Sequence, residues 1–178
     1  MSNNISISNT SDSSENSYIS TDSNCDEKLK KNRVTQKISI KEAIKTVDER
    51  SLYAKVHSFF RKHCTQEQIQ KMINIIINNN VISLRLLNWF AMKYSATMKA
   101  LEVKKKDGTT ELFDVKISYK ARLNTHSKKY FDPFRRGKRF DYYYNSNNKN
   151  EYIETTLCQL NFFRWLMLHN LIEYVEKN

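Results

Sequence analysis

Two glycines and one proline are all that punctuate this chain, and their positions restrict what it can build. With glycines only at 108 and 137, neither G-x-G-x-x-G nor G-x-x-x-x-G-K-[ST] can be written. That removes most phosphate-cradling architectures. The first glycine follows an aspartate: Asp107-Gly108 divides "ALEVKKKDGTTELFDVKISY" into two strand-like runs, a strong hairpin signal. In the second run Phe113, Val115, Ile117 and Tyr119 alternate with Asp114, Lys116 and Ser118, the pattern of a strand with one wet face. The second glycine and the proline fall together in "KYFDPFRRGKRF", residues 129 to 140, among five basic and four aromatic residues.

Upstream of the first hairpin the apolar period is helical. Ala43, Ile44 and Val47, then Leu52, Val56, Phe59 and Phe60, recur at three- and four-residue intervals, with Ser51 read as restarting or capping a helix after "DER". Thr65 and Gln68 form a capping box for a helix that the Asn run 78–80 ends. Ser83 caps "LRLLNWFAMKY", where Leu84, Leu87 and Ala91 share a side and Leu86, Trp89 and Phe90 widen the stripe. A helix this apolar is expected to be core. Downstream, "RFDYYY" and "EYIE" flank the loop "NSNNKN" as a second hairpin. The chain closes on one helix capped by Thr155 or Thr156, with Leu157, Leu160, Phe163, Leu171 and Val175 among its buried positions. The expected fold is α+β: helices, a small antiparallel sheet of two hairpins, and a C-terminal helix, as a single domain over residues 41–178.

Residues 1–40 read as a disordered tail followed by a basic linker. The first 27 carry five acids, no Lys or Arg, and no apolar periodicity, so they cannot bury enough surface to offset their ordering. They lack the basic start and apolar run of a signal peptide, and no stretch is long and apolar enough for a membrane span, so no membrane association is expected and the protein reads as soluble and intracellular. Beyond that tail 30 cations face 14 acids, a net charge of +16, which points to a polyanionic partner.

The cations cluster. Residues 93–139 hold 14 cations and 5 acids, whereas residues 140–178 hold 3 and 5. Lys116, Lys120, Arg122, Lys128, Lys129, Arg135, Arg136, Lys138 and Arg139 are the candidate phosphate contacts, with Arg adding a planar fork. Tyr130, Tyr142 and Tyr144 are the candidate stacking rings, since rings among cations suit a single-stranded nucleic acid. Asp132-Pro133 is a turn pair; Phe131 and Phe134 are expected to fold inward as anchors with Asp132 pairing with a local Arg, leaving Arg135, Arg136, Lys138 and Arg139 as a cationic rim. Three widely spaced cysteines and four histidines show no metal-ligand spacing, Cys158 reads as an inert buried thiol, and the acids near the basic region are singletons. No cofactor, metal or catalytic role is expected.

The segments "ISLRLLNWF", "SYKARL" with "KKYFDPFRRGKRF", and "TTLCQLNFFRWLMLHNLIEY" together resemble a family of small uncharacterised proteins of large nucleocytoplasmic DNA viruses, the mimivirus-like ones especially. The Asn-, Ile- and Lys-rich composition is similar to that of proteins from such AT-rich genomes. The resemblance covers roughly residues 65 to 178. It implies a viral origin, a place in the host cytoplasm or virion, and contact with viral DNA or RNA; it carries no site residue. The resulting expectation is a non-enzymatic nucleic-acid-binding protein of weak sequence specificity. The alternative is a virion structural or scaffold protein whose basic face docks an acidic protein partner, with viral structural proteins among the candidate partners. DNA versus RNA and the oligomeric state stay open at this level.

Overall fold

The computed structural model describes residues 38–77, 81–104, 109–145, 148 and 150–178. The tail over 1–27, nearly all of the basic linker, the Asn run 78–80 and the Asp107-Gly108 turn lie outside the described residues. The described residues fall into one compact unit.

Helix α6 (Leu157–Leu168) is the element the others cover. Its sequence contains no β-branched residue, and the Thr156 hydroxyl caps it by accepting the Gln159 amide at 3.2 Å. Residues such as Leu160, Phe162, Phe163, Trp165 and Leu166 leave it buried on nearly all sides, and a helix apolar all round must be enclosed. It packs against α2 (Val47–His63), α5 (Val115–Phe131) and α7 (Leu171–Lys177). The single terminal helix expected from the pattern is therefore two. Asn170 adopts a left-handed conformation (φ 52°, ψ 33°), which Asn tolerates, and α7 turns back to bury Leu171 and Ile172.

The first half follows its caps. A short α1 (Ile40–Ala43) has a Ser39–Glu42 capping box, and α2 starts from a Thr46–Glu49 box. Ser51, expected as the start signal, lies inside α2; Thr46 holds that role because its hydroxyl accepts the Glu49 amide at 3.1 Å. Leu52, Val56 and Phe60 then recur every fourth residue as the buried face of α2. The Thr65–Gln68 box opens α3 (Gln66–Ile76), and Ser83 caps α4 (Leu84–Met92), both as expected. Only one face of α4 is core, however. Leu84, Leu87, Phe90 and Ala91 are buried, while Leu86, Trp89 and Met92 stay substantially exposed beside Tyr94 of the following 3₁₀ turn. Among the described residues no helix is long and apolar enough to cross a membrane.

Strands β1 (Leu101–Lys104) and β2 (Thr110–Phe113) pair antiparallel with Leu101 opposite Phe113. Strands β3 (Phe140–Tyr143) and β4 (Tyr152–Thr155) pair with Phe140 opposite Thr155. Both hairpins are present, as separate two-stranded sheets. In the second, Phe140, Tyr142, Ile153 and Thr155 face inward, with Tyr143 and Tyr152 outward.

The largest departure from expectation is α5. The run from Phe113 to Tyr119 alternates like a strand, yet β2 stops at Phe113 and a helix begins at Val115. Asp114 decides this: its carboxylate accepts the Ile117 amide at 2.7 Å, closing the first turn. In a helix Val115 and Tyr119 share one face and both are buried, while Ile117 points to solvent. Lys116, Lys120, Arg122 and Lys128 consequently sit on a helix, not on a strand or loop.

The last turn of α5 is offset by Ser127, which holds φ 57° and ψ 163°, a region that glycine occupies and L side chains avoid. That break redirects the chain so that Lys129 reaches back to α2 and Phe131 enters the core. Ser127→Gly should therefore stabilise the fold by about 1 kcal/mol, the strain relieved outweighing the added unfolded-state freedom. A urea midpoint that rises at unchanged slope would bear this out; a lowered midpoint would show that Ser127 is not strained.

Candidate nucleic-acid interface

Residues 132–139 leave α5 through a turn built by Asp132-Pro133. The Asp132 carboxylate accepts the Phe134 amide at 2.9 Å, and its carbonyl accepts the Arg135 amide at 3.1 Å. Among the described residues, the expected pairing of Asp132 with a neighbouring arginine is thus replaced by backbone contacts within the turn. The two phenylalanines separate as well. Phe131 is fully buried among Tyr119, Phe162 and Trp165, with ring centroids 5.5–5.8 Å away, but Phe134 is 49% exposed. Only the first is an anchor, because Pro133 takes the inward place that Phe134 was expected to fill.

Beyond the turn the loop runs past α1 and the start of α6. The Lys138 ammonium donates to the Glu42 carbonyl at 3.3 Å, and Gly137 passes against Thr156 and Cys158. Between these walls opens a cleft of about 390 Å³. Lys129, Tyr130, Arg135, Arg136 and Lys138 line it from the loop side, and Lys45, Thr46 and Glu49 from the α1–α2 junction. Thr156 and Leu157 contribute the start of α6. Two helices, α2 and α6, therefore present their N-terminal caps to the cleft, and the positive ends of their dipoles add to the cations.

Among the described residues five cations meet one acid here, and that acid is already engaged. The Glu49 carboxylate accepts the amides of Lys45 and Thr46 at 2.9 and 3.1 Å and pairs with Lys129 at 3.1 Å. Burial opposes its ionisation, but those donors outweigh burial and hold its carboxyl below the ordinary range. Lys129 is fixed in turn: it donates to the Tyr130 hydroxyl at 2.8 Å, lies 4.6 Å from that ring's centroid, and has its ammonium held above the ordinary range by Tyr130 and then Glu49. Arg135 and Arg136 are exposed at the mouth of the cleft they line.

The residues singled out in the sequence divide into groups. Lys129, Arg135, Arg136 and Lys138 converge on the cleft; Arg139 is exposed on the same loop but does not line it. Lys116 and Lys120 share a face of α5, with Lys120 and Lys128 exposed. Arg122 turns toward α6. Tyr130 stands in the cleft, half-buried. Tyr142 offers no stacking face: it is 1% exposed, enclosed by Tyr53, His57 and Phe60, and its hydroxyl sits 3.2 Å from His57 Nδ1. Burial pushes that phenol well above its ordinary range. Tyr144 is half-buried against the core on the same side of the hairpin, so the exposed ring of the triple tyrosine is Tyr143, packed beside its cross-strand neighbour Tyr152. Sequence reasoning misses Lys45, Thr46, Glu49 and Thr156 as site residues; "TVDE" and Thr156 are legible as helix starts but not as walls of a cleft.

If Phe131 is an anchor and Phe134 is not, their alanine variants must differ. Phe131→Ala should cost roughly 3–5 kcal/mol and Phe134→Ala below about 1 kcal/mol in thermal or chemical unfolding. Equal costs would contradict the assignment.

The model of a family of unknown function (DUF7197) matches residues 30–178. An uncharacterized protein of Acanthamoeba polyphaga mimivirus is 40% identical over 107 residues, which is 59% of this chain and 41% of the length of that relative. The chain thus spans less than half of the curated relative it matches. No solved structure matches the fold.

Proposed function

The chain belongs to the DUF7197 family, and we propose that it is a non-enzymatic protein binding DNA or RNA through the cleft and its cationic loop. The observation that carries this reading is the convergence of Lys45, Lys129, Arg135, Arg136 and Lys138 on one open cleft whose one acid among the described residues is occupied by amides and by Lys129. A phosphodiester entering it meets charge-assisted donors and the positive ends of two helices, and releases counterions as it binds.

The volume of the cleft suits a nucleotide-sized group, which favours one strand or a strand end over an intact duplex. Tyr130 supplies a ring beside the cations for a base to meet. Charge dominates these contacts, so sequence preference is weak. The mimivirus relative supports a viral setting for this activity, in host cytoplasm or virion.

Replacing Arg135, Arg136, Lys138 and Arg139 together by Ala tests the reading. The slope of log affinity against log salt should shrink by up to about 2.8 for a single strand, or about 3.6 for duplex. Unfolding should barely change, because exposed cations on a loop contribute little to stability. An unaltered slope, measured by anisotropy over a salt series, would remove this loop from the binding surface.

A further inference from the structure

A second cationic cluster lies where α5 faces α6. Arg122 and His126, one turn apart on α5, and Arg164 of α6 line a notch of about 10 Å³, room for one water-sized atom. The other polar groups in its wall are committed elsewhere. Asn161 Nδ2 donates to the Tyr130 carbonyl at 2.9 Å, and Trp165 Nε1 donates to Ser118 Oγ at 3.0 Å. Arg164 Nε, by contrast, is buried with no hydrogen-bond partner, although its guanidinium lies 5.8 Å from the Phe59 ring centroid. Among the described residues neither Arg122 nor Arg164 forms an ion pair with a carboxylate.

We propose that Arg122, His126 and Arg164 form a single-phosphate site, the notch taking one phosphate oxygen while the rest of the group stays outside against the two guanidinium forks. The two guanidinium groups repel one another and disfavour a charged His126 beside them, and an oxyanion converts that repulsion into charge-assisted hydrogen bonds. The electrostatics agree. Burial depresses the His126 imidazole, with Arg122, Arg164 and Lys55 of α2 pushing the same way; burial and then Arg122 lower Arg164. His169 nearby is driven to about 4 by burial, with Arg122 adding and Glu111 opposing. A phosphate presents more acceptor oxygens, in a tetrahedral array, than a carboxylate, so it can meet two guanidinium forks and an imidazole at once.

This site depends on the nucleic-acid reading only for where its phosphate comes from, a strand backbone or the free anion. The test uses the full chain and follows the His126 ring by NMR through a pH titration. Inorganic phosphate, a dinucleoside monophosphate with one internal phosphodiester, and acetate are added in separate arms. Phosphate should shift the His126 titration upward, because a bound anion favours imidazolium. Arg122→Gln should weaken phosphate about tenfold or more, and Arg164→Met should do the same. The dinucleoside arm decides the source: a matching shift assigns a backbone phosphate, and a shift with inorganic phosphate alone assigns the free anion. No shift in either phosphate arm, a shift that survives both arginine variants, or an equal response to acetate would overturn the site. A wild-type chain that ignores oligonucleotides yet keeps the phosphate response would end the proposed function and leave this site standing.

Discussion

Enclosing α6 is the constraint on which the rest of the molecule depends. Its rings do not merely fill space. Phe162 and Trp165 meet Phe131 at 5.8 and 5.7 Å and Tyr119 at 6.3 and 5.7 Å, tying both ends of α5 to the centre of the core. Full burial of Phe131 contributes about 3 kcal/mol by area alone. That ring also fixes where the cationic loop begins, and buried Phe140 fixes where it ends. Between two anchors the loop can carry Arg135, Arg136, Lys138 and Arg139 outward without weakening the fold.

The same stretch of chain serves two cationic surfaces. Tyr130 faces the cleft, while Phe131, next to it, forms part of the notch wall and stacks at 6.4 Å on His126. Ser127 makes this possible by breaking the helical path just before them. Without that break the last turn of α5 would continue in helical register, and Lys129 would not be placed to meet Glu49. The strain at Ser127 is thus offset by the contacts of Lys129 and Phe131 that it makes possible.

Local chemistry is legible in the sequence wherever a short-range device sets the structure. The Thr65–Gln68 box, Ser83, Thr156 and the second hairpin all stand where their residues indicate. The start of α5 reads as a strand because Phe113, Val115, Ile117 and Tyr119 satisfy period two, while Val115 and Tyr119 alone satisfy a helical turn; the Asp114 cap breaks the tie. Phe134 and Tyr142 escape a sequence reading because the direction of a ring depends on what stands opposite it. Pro133 is buried in place of Phe134, and α2 closes over Tyr142. The cationic half of the cleft is readable as a charge cluster. Its opposite wall, Lys45 to Glu49, comes from the other end of the fold, and the notch joins Arg122 to Arg164 only through tertiary packing.

The central claim is that the cleft is shaped for phosphates and not for acidic side chains. It is tested most directly by competing a random-sequence single-stranded oligonucleotide against polyglutamate of equal charge for the wild-type chain over a salt series. The account predicts preference for the oligonucleotide at every salt concentration, with a log–log slope near −3 or steeper for five cations meeting a single strand. Equal competition by polyglutamate, or an affinity indifferent to salt, would contradict it.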